Sequence, residues 1–111
     1  MAQNYRILGQ IDLTTTALEN VYTVPANRET VISTIVIANR DSDATTFTIA
    51  LRDAGATVAN KHYLAFDVPI VGNDSTTITL GITAEATDVL SVSAGNANAL
   101  SVNVFGTELT V

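Results

Sequence analysis

The chain has 111 residues, of which 47% are hydrophobic and 14% charged, and its formal net charge is −6. This length suffices for one domain with its own hydrophobic core. The absence of cysteine excludes disulfides, thiolate metal sites and thiol nucleophiles. Its five Lys and Arg residues are scattered, which argues against a nucleic-acid partner, because such a partner requires clustered cations that displace counterions.

Hydropathy and composition narrow the choice of partners. No run of about 20 apolar residues occurs, so we expect no membrane-spanning segment and no membrane partner. The first five residues lack the basic and then apolar pattern of an export signal. Charged residues usually make up about 25% of a soluble protein. The low charge therefore predicts that some apolar surface is buried against other chains, by self-association.

The first part of the chain is predicted to be separate from the main domain. Residues 1–12 are expected to form an N-terminal arm or a segment at a sheet edge. As an arm, this segment would use Tyr5 as an anchor on a neighbour, since aromatic side chains are enriched at interfaces. Residues 13–111 are expected to form a single β-sandwich domain.

The central element of that domain is the stretch of residues 30–39, which is rich in Val and Ile and has no charge. Side chains branched at Cβ fit a pleated surface, so this stretch is predicted to be a strand. Strict alternation places on one face Val31, Ser33, Ile35 and Ile37, and on the other Ile32, Thr34, Val36 and Ala38. Both faces are largely apolar, so we expect a loop, an arm or a neighbouring subunit to cover the face that the sandwich leaves open.

Other short strands are predicted on both sides of this element, at residues 18–24, 45–52, 61–68, 76–82, 88–94 and 99–105. In the strand at 61–68, alternation places on one face His62, Leu64, Phe66 and Val68. Residues 26–29 and 95–98 are predicted to be hairpin turns, and Gly106 is expected to let the tail turn away. Seven or eight strands without helical periodicity predict an all-β fold, an antiparallel, jelly-roll-like β-sandwich.

The residues suited to catalysis or metal binding do not form a recognisable site. His62 is the only histidine, and Asp67, five residues further along the same predicted strand, faces the opposite way. The acidic loop at residues 41–43 lacks the other ligands of a calcium loop. No spacing selects a glycosidase pair among Asp67, Glu85 and Asp88. We expect no enzymatic activity, no cofactor and no bound metal.

Five segments of the sequence, taken together, resemble the pattern of a known protein family. They are Val-Tyr-Thr-Val-Pro-Ala at 21–26, Val-Ile-Ser-Thr at 31–34 with Ala-Asn-Arg at 38–40, Ala-Asn-Lys-His-Tyr-Leu at 59–64, Leu-Gly-Ile-Thr at 80–83 and Asp-Val-Leu-Ser-Val at 88–92. In this order and spacing, residues 18–105 resemble small virion structural proteins of tailed bacteriophages, particularly those that infect cyanobacteria and other marine bacteria. The resemblance implies a non-enzymatic β-sandwich that decorates or cements the capsid exterior, often as a trimer.

Composition and resemblance together predict a homotrimer that binds the major capsid protein or other virion proteins. The candidate interface residues are Tyr5, Arg6, Val31, Ser33, Ile35, Ile37, Tyr63 and Phe105. Two alternatives stay open. The protein would belong to a tail, neck or fibre in the first, and it would be a carbohydrate-binding β-sandwich module in the second. The module would need exposed aromatic side chains, of which the sequence offers few.

Overall fold

The computed structural model describes residues 3–79 and 81–110, and of Gln3 only the backbone. These residues form nine strands: β1 (Gln3–Asp12), β2 (Glu19–Thr23), β3 (Arg28–Asn39), β4 (Thr45–Arg52), β5 (Tyr63–Ile70), β6 (Ser75–Ile78), β7 (Ile82–Ala84), β8 (Val89–Ala94) and β9 (Leu100–Thr110). Two short 3-10 turns, Asp53–Gly55 and Asn60–His62, connect β4 to β5. The strand predicted at residues 76–82 is thus divided into β6 and β7, and Leu80 between them lies outside the described residues. Within the described ranges, no helix is long and apolar enough to cross a bilayer.

The strands pair into two antiparallel sheets that enclose the core. The five-stranded sheet has the order β1-β9-β3-β6, with β7 also paired to β3, and the four-stranded sheet has the order β2-β8-β4-β5. With β6 and β7 taken as two halves of one strand, this is the strand order of an eight-stranded jelly roll. The predicted all-β, jelly-roll-like sandwich is confirmed.

Two of the predicted hairpin turns lead from one sheet to the other. Of residues 26–29, the first two lie in the connection from β2 in the four-stranded sheet to β3 in the five-stranded sheet, and Arg28 and Glu29 already belong to β3. Residues 95–98 connect β8 to β9, again across the sandwich. Turn residues show that the chain reverses but not which sheet it enters next. Gly106 also differs from its prediction, because β9 continues through it to Thr110 and pairs with β1 and β3 on either side.

A β-bulge in β3 changes which of its side chains face the core. Its pairing with β9 shifts between Ile32 and Thr34, and this extra residue reverses the alternation. Ile32 and Ile35 are each 1% exposed and Ile37 is fully buried. The predicted faces of this strand are therefore wrong beyond Ser33: three isoleucines share the core face, and the outer face is less apolar than strict alternation implied.

The bulge in β3 lies beside a second bulge in β1, with β9 between them. The pairing of β1 with β9 shifts between Ile7 and Gly9. Gly106 of β9 lies between the two bulges. A Cβ atom added to it would lie only 2.1 Å from the Val31 carbonyl oxygen. Because a bulge bends its strand and increases the local twist, the five-stranded sheet curves at this point.

Hydrophobic side chains, most of them aliphatic, fill the core and come from both sheets and two connections. Its largest fully buried side chains are Phe47, Leu13, Ile32, Ile35, Ile37, Ile49, Leu90, Leu100, Val24, Val92, Val102 and Val104. Leu8 of β1 also belongs to this core, with 8% of its surface exposed. Residues 3–12 therefore form the edge strand of the five-stranded sheet and contribute to the packed interior.

Candidate functional site

A polar network lies between the two sheets, where β1, β2, β3 and β9 come together. The Tyr22 hydroxyl donates to Glu108 Oε2 at 2.6 Å and lies 2.8 Å from Thr30 Oγ1. Arg6 Nη1 donates to the other carboxylate oxygen of Glu108 at 3.2 Å. Glu108 is 4% exposed, and a buried carboxylate without partners would be strongly destabilising. These contacts satisfy the hydrogen-bonding capacity of the carboxylate. Through them, Glu108 links the two sheets.

Burial raises the pKa of Tyr22 to about 12, and the hydrogen bond to Glu108 contributes in the same direction. The phenol therefore keeps its proton throughout the physiological range and acts as a hydrogen-bond donor. A group that does not titrate near neutral pH is not suited to be a general base. Tyr22 has a structural role in this network.

His62 lies in the second 3-10 turn, directly before β5, and is 6% exposed. Its Nδ1 accepts a hydrogen bond from the Ala59 backbone N–H at 2.9 Å. With Nδ1 an acceptor, the ring proton is on Nε2, which is buried and has no hydrogen-bond partner among the described residues. Through Nδ1, the imidazole thus stabilises its own turn.

A groove of ≈ 490 Å³ contains several acidic side chains. Glu29, Asp53, Glu85 and Asp88 contribute to its walls. The Asp88 oxygens accept hydrogen bonds from the backbone N–H groups of Ala54 at 2.8 Å and Glu85 at 2.9 Å. Asp88 thus joins two connections of the fold. Within the described ranges, no group of three or more His, Cys, Asp or Glu side chains is arranged to hold a metal ion.

The acidic loop at residues 41–43 is organised by Asn39 at the end of β3. Asn39 Oδ1 accepts from the Asp41 backbone N–H at 3.0 Å, and its Nδ2 donates to the Asp43 carbonyl oxygen at 3.0 Å. Asp41 Oδ1 in turn accepts from the Asp43 backbone N–H at 3.4 Å. Local hydrogen bonds of this kind are typical of Asx turns. The loop is thus held by hydrogen bonds between local side chains and its own backbone.

The sequence-predicted interface residues are divided between the surface and the core. On the outer face of the five-stranded sheet, Thr107 pairs with both Tyr5 and Val31, and Phe105 pairs with Ile7. Two further candidates, Arg6 and Ser33, are exposed near these positions. Ile35 and Ile37 belong to the core, so the folded subunit does not present them to a partner. The last candidate, Tyr63, lies on the other sheet.

The large exposed hydrophobic side chains of the described residues form two groups. Tyr5 and Ile7 on β1 are 80% and 50% exposed. Leu64 and Phe66 on β5 are 42% and 61% exposed, and Val71, directly after β5, is 60% exposed. Both β1 and β5 are end strands of their sheets. These are the large apolar side chains that the described chain exposes to a partner.

Alternation along the sequence missed the group on β5. It placed Leu64 and Phe66 on the same face as Val68, but Val68 packs against the core while the other two are exposed. The pairing of β4 with β5 is irregular between Phe47 and Ala50, and Asp67 has a φ of 48°. Because of these irregularities, the two halves of β5 do not follow one continuous alternation. Residues that the sequence places on one face therefore lie on different faces of the strand. Pro69 signals an edge strand but does not show where the irregularity begins.

Comparison with known structures shows that the fold of this chain is similar to that of a chain in a phage capsid structure. A chain of the acidic stable capsid of Helicobacter pylori bacteriophage KHP30 matches with a TM-score of 0.54 at 13% identity, over 97% of this chain and 94% of that chain. At this identity, the likeness establishes a shared fold. No protein-family model and no curated protein sequence matches the chain.

Two chains from infectious bursal disease virus structures are more distant. The chain of the Gt strain matches with a TM-score of 0.45 at 12% identity, over 96% of this chain. The chain of the Gx strain matches with a TM-score of 0.40 at 10% identity, again over 96% of this chain. This chain spans 32% and 28% of those two chains.

Proposed function

We propose that this protein is a non-enzymatic structural component of a bacteriophage virion. The likeness to the KHP30 capsid chain supports this role, because it covers 97% of this chain and 94% of the other. The two chains are therefore of about the same length, and the match is between whole chains. Jelly rolls are a recurrent fold of viral capsid proteins. A fold by itself does not determine function, so the contents of the candidate sites also matter.

The hydrogen bonding of the buried ionisable groups supports a structural role. Glu108 is held by Tyr22 and Arg6, and Asp88 by two backbone N–H groups. His62 accepts a hydrogen bond within its own turn. Catalytic acids and bases must instead reach a substrate proton directly or through one water. Each of these groups is engaged in holding strands or connections of the fold in place.

Within the virion, we assign the protein to the exterior of the capsid, as a homotrimeric decoration or cement protein bound to the major capsid protein. The net charge of −6 favours an outer position, because DNA phosphates inside the shell would repel an acidic protein. The two exposed apolar groups on β1 and β5 provide surface for contacts with its own copies and with the shell.

Cryo-electron microscopy of intact particles tests this role, together with light scattering of the purified protein. We expect density for the sandwich on the outer surface of the shell and a solution mass of three chains. Density on a tail, neck or fibre would contradict the decoration role and favour the first alternative. Particles that lack the protein would contradict any virion role.

The carbohydrate-binding alternative has less support from the surface. Tyr63 and Phe66 contact each other on β5, with ring centroids 4.8 Å apart and ring planes inclined by 72°. Rings in this edge-to-face arrangement do not form a flat platform on which a sugar ring stacks. A glycan array tests the alternative, and selective binding that is lost in Phe66→Ala would favour it over the virion role.

A further inference from the structure

We propose that copies of this chain associate head to tail, with the β1 surface of one copy packed against the β5 surface of the next. The β1 surface consists of Tyr5, Ile7 and Phe105 on the outer face of the five-stranded sheet, with Arg6 at the adjoining edge. The β5 surface consists of Leu64, Phe66, Asp67 and Val71. This inference deepens the self-association contained in the proposed function and rests on it, since it identifies the two surfaces that meet.

The two surfaces lie at opposite edges of the sandwich. A Cβ on Gly9 of β1 would be 2.5 Å from the Val21 carbonyl oxygen of β2, so these two end strands are in direct contact. In the four-stranded sheet, β5 is the end strand opposite to β2. It follows that β1 and β5 are on different sides of the molecule.

This placement selects one kind of contact between copies. A two-fold symmetric contact joins a surface to the same surface of the partner, so it would bury only one of the two groups. A head-to-tail contact joins two different surfaces and buries both groups in every copy of a closed ring. Because all five large exposed hydrophobic side chains of the described residues belong to these two groups, the head-to-tail contact covers the exposed apolar surface most completely.

The charges of the two surfaces are complementary. Arg6 contributes a guanidinium group at the edge of β1: its side chain contacts Glu108 on the side of β1 opposite to Tyr5 and Ile7 and is 55% exposed, so it is accessible where this edge adjoins the β1 surface. Asp67 contributes an exposed carboxylate to the β5 surface. Opposite charges on surfaces that meet favour their orientation and disfavour contacts of each surface with itself. The apolar groups would supply buried area and this pair would fix the register.

Side chains, and not a continued sheet, form the proposed contact. Pro69 lies within β5 and lacks a backbone N–H, and Asp67 has a φ of 48°, outside the extended region. Both features prevent a regular ladder along this edge, as is common for edge strands that avoid indiscriminate pairing. The β5 edge is thus suited to a specific partner surface and not to an added strand.

Two variants with complementary defects test the proposal in the full chain. Ile7→Asp places a charge in the β1 surface and leaves the β5 surface intact, whereas Phe66→Asp does the reverse. We expect light scattering to show each variant alone as a monomer. An equimolar mixture should form a dimer of one copy of each, because one intact β1 surface and one intact β5 surface remain. Thr16→Asp, in an exposed loop outside both surfaces, should keep the wild-type mass.

Specific outcomes would overturn the proposal. If either variant alone keeps the wild-type mass, its altered surface is not part of the contact. If the mixture stays monomeric while thermal melting shows both variants folded, the two surfaces do not meet each other. These results would leave the virion role intact, because that role is tested on particles. A monomeric wild type would also remove the proposed trimer, and particle images would still decide the location.

Discussion

At the scale of single residues, Tyr22 connects the two sheets through one hydroxyl group. It extends from β2 in the four-stranded sheet to Glu108 of β9 and Thr30 of β3 in the five-stranded sheet. The carboxylate of Glu108 is buried, so losing a donor leaves an acceptor that water does not reach. Removing a member of this network should therefore cost more stability than breaking an exposed ion pair such as that between Arg40 and Asp12.

Replacing this hydroxyl should measurably destabilise the fold. We expect Tyr22→Phe to lower the free energy of unfolding by about 1–3 kcal/mol, because Glu108 loses one hydrogen-bond donor while the ring still packs. Urea denaturation measures the change. Tyr63→Phe is the matched control, since that ring contacts Phe66 through its edge or face and should lose little. Equal effects of the two substitutions would contradict a special role for Tyr22.

The same residue predicts a loss of stability in alkali. The pKa of Tyr22 is raised from 10.0 to about 12 on folding, so the folded state keeps a proton that the unfolded state releases between these values. The stabilisation is complete below pH 10 and is lost as the pH rises toward 12. The slope should approach about −1.4 kcal/mol per pH unit. Urea titrations across this range should show a steeper decline for the wild type than for Tyr22→Phe, and identical slopes would refute the assignment.

At the scale of elements, the bulge at Ser33 determines which half of β3 faces the core. Ile35 is 1% exposed, whereas Val36 pairs with Asn103 and Thr77 on the outer face. We expect Ile35→Ala to destabilise the fold by about 2–5 kcal/mol through lost packing and a cavity. Val36→Ala should cost much less. Thermal denaturation of the two variants checks this order, and the reverse order would mean that β3 alternates regularly from residue 31 onward.

The strands themselves were predictable because their composition and turn residues are local signals. Alternating apolar residues located β4, β8 and the start of β9. The bulges were not predictable in the same way, since Ser33 is an ordinary residue for a strand and the extra position appears only in its pairing with β9. The sheet that each strand joins likewise depends on contacts between distant parts of the chain.

The residues of the candidate surfaces were likewise only partly predictable from the sequence. The sequence singles out Tyr5 and Phe105 because aromatic residues stand out in a chain with so few of them, and their role in an interface stays a prediction. Ile35 and Ile37 were assigned to the same surface only by extending the alternation across the bulge. Phe66 and Leu64 were not identified, since the irregular pairing of β5 is invisible in its sequence.

At the scale of the whole molecule, the beginning and end of the described chain form one part of the sandwich. Gln3 of β1 pairs with Leu109 of β9, and this pairing continues to Asp12 and Ser101. Residues 1–12 are therefore expected to be essential to the fold. Deleting them removes Leu8 from the core and leaves β9 without its outer neighbour.

We expect a protein of residues 13–111 to unfold at markedly lower denaturant concentration than the full chain, or to aggregate through the exposed edge of β9. If residues 1–12 were instead a loose arm, their removal would leave the unfolding transition unchanged. Urea denaturation followed by circular dichroism separates the two cases. As a control, the full chain with Asn4→Ala keeps every strand and should unfold close to the wild-type midpoint.

The pairing of β1 with β9 also has a consequence for synthesis in the cell. A ribosome adds about 5–20 residues per second, so β1 emerges several seconds before the strand that it needs. During that interval the nascent chain displays Leu8 and its neighbours without their final cover, and the sheet closes only after nearly all of the described chain has been translated. Closure of the five-stranded sheet is thus a late step in the folding of the described residues.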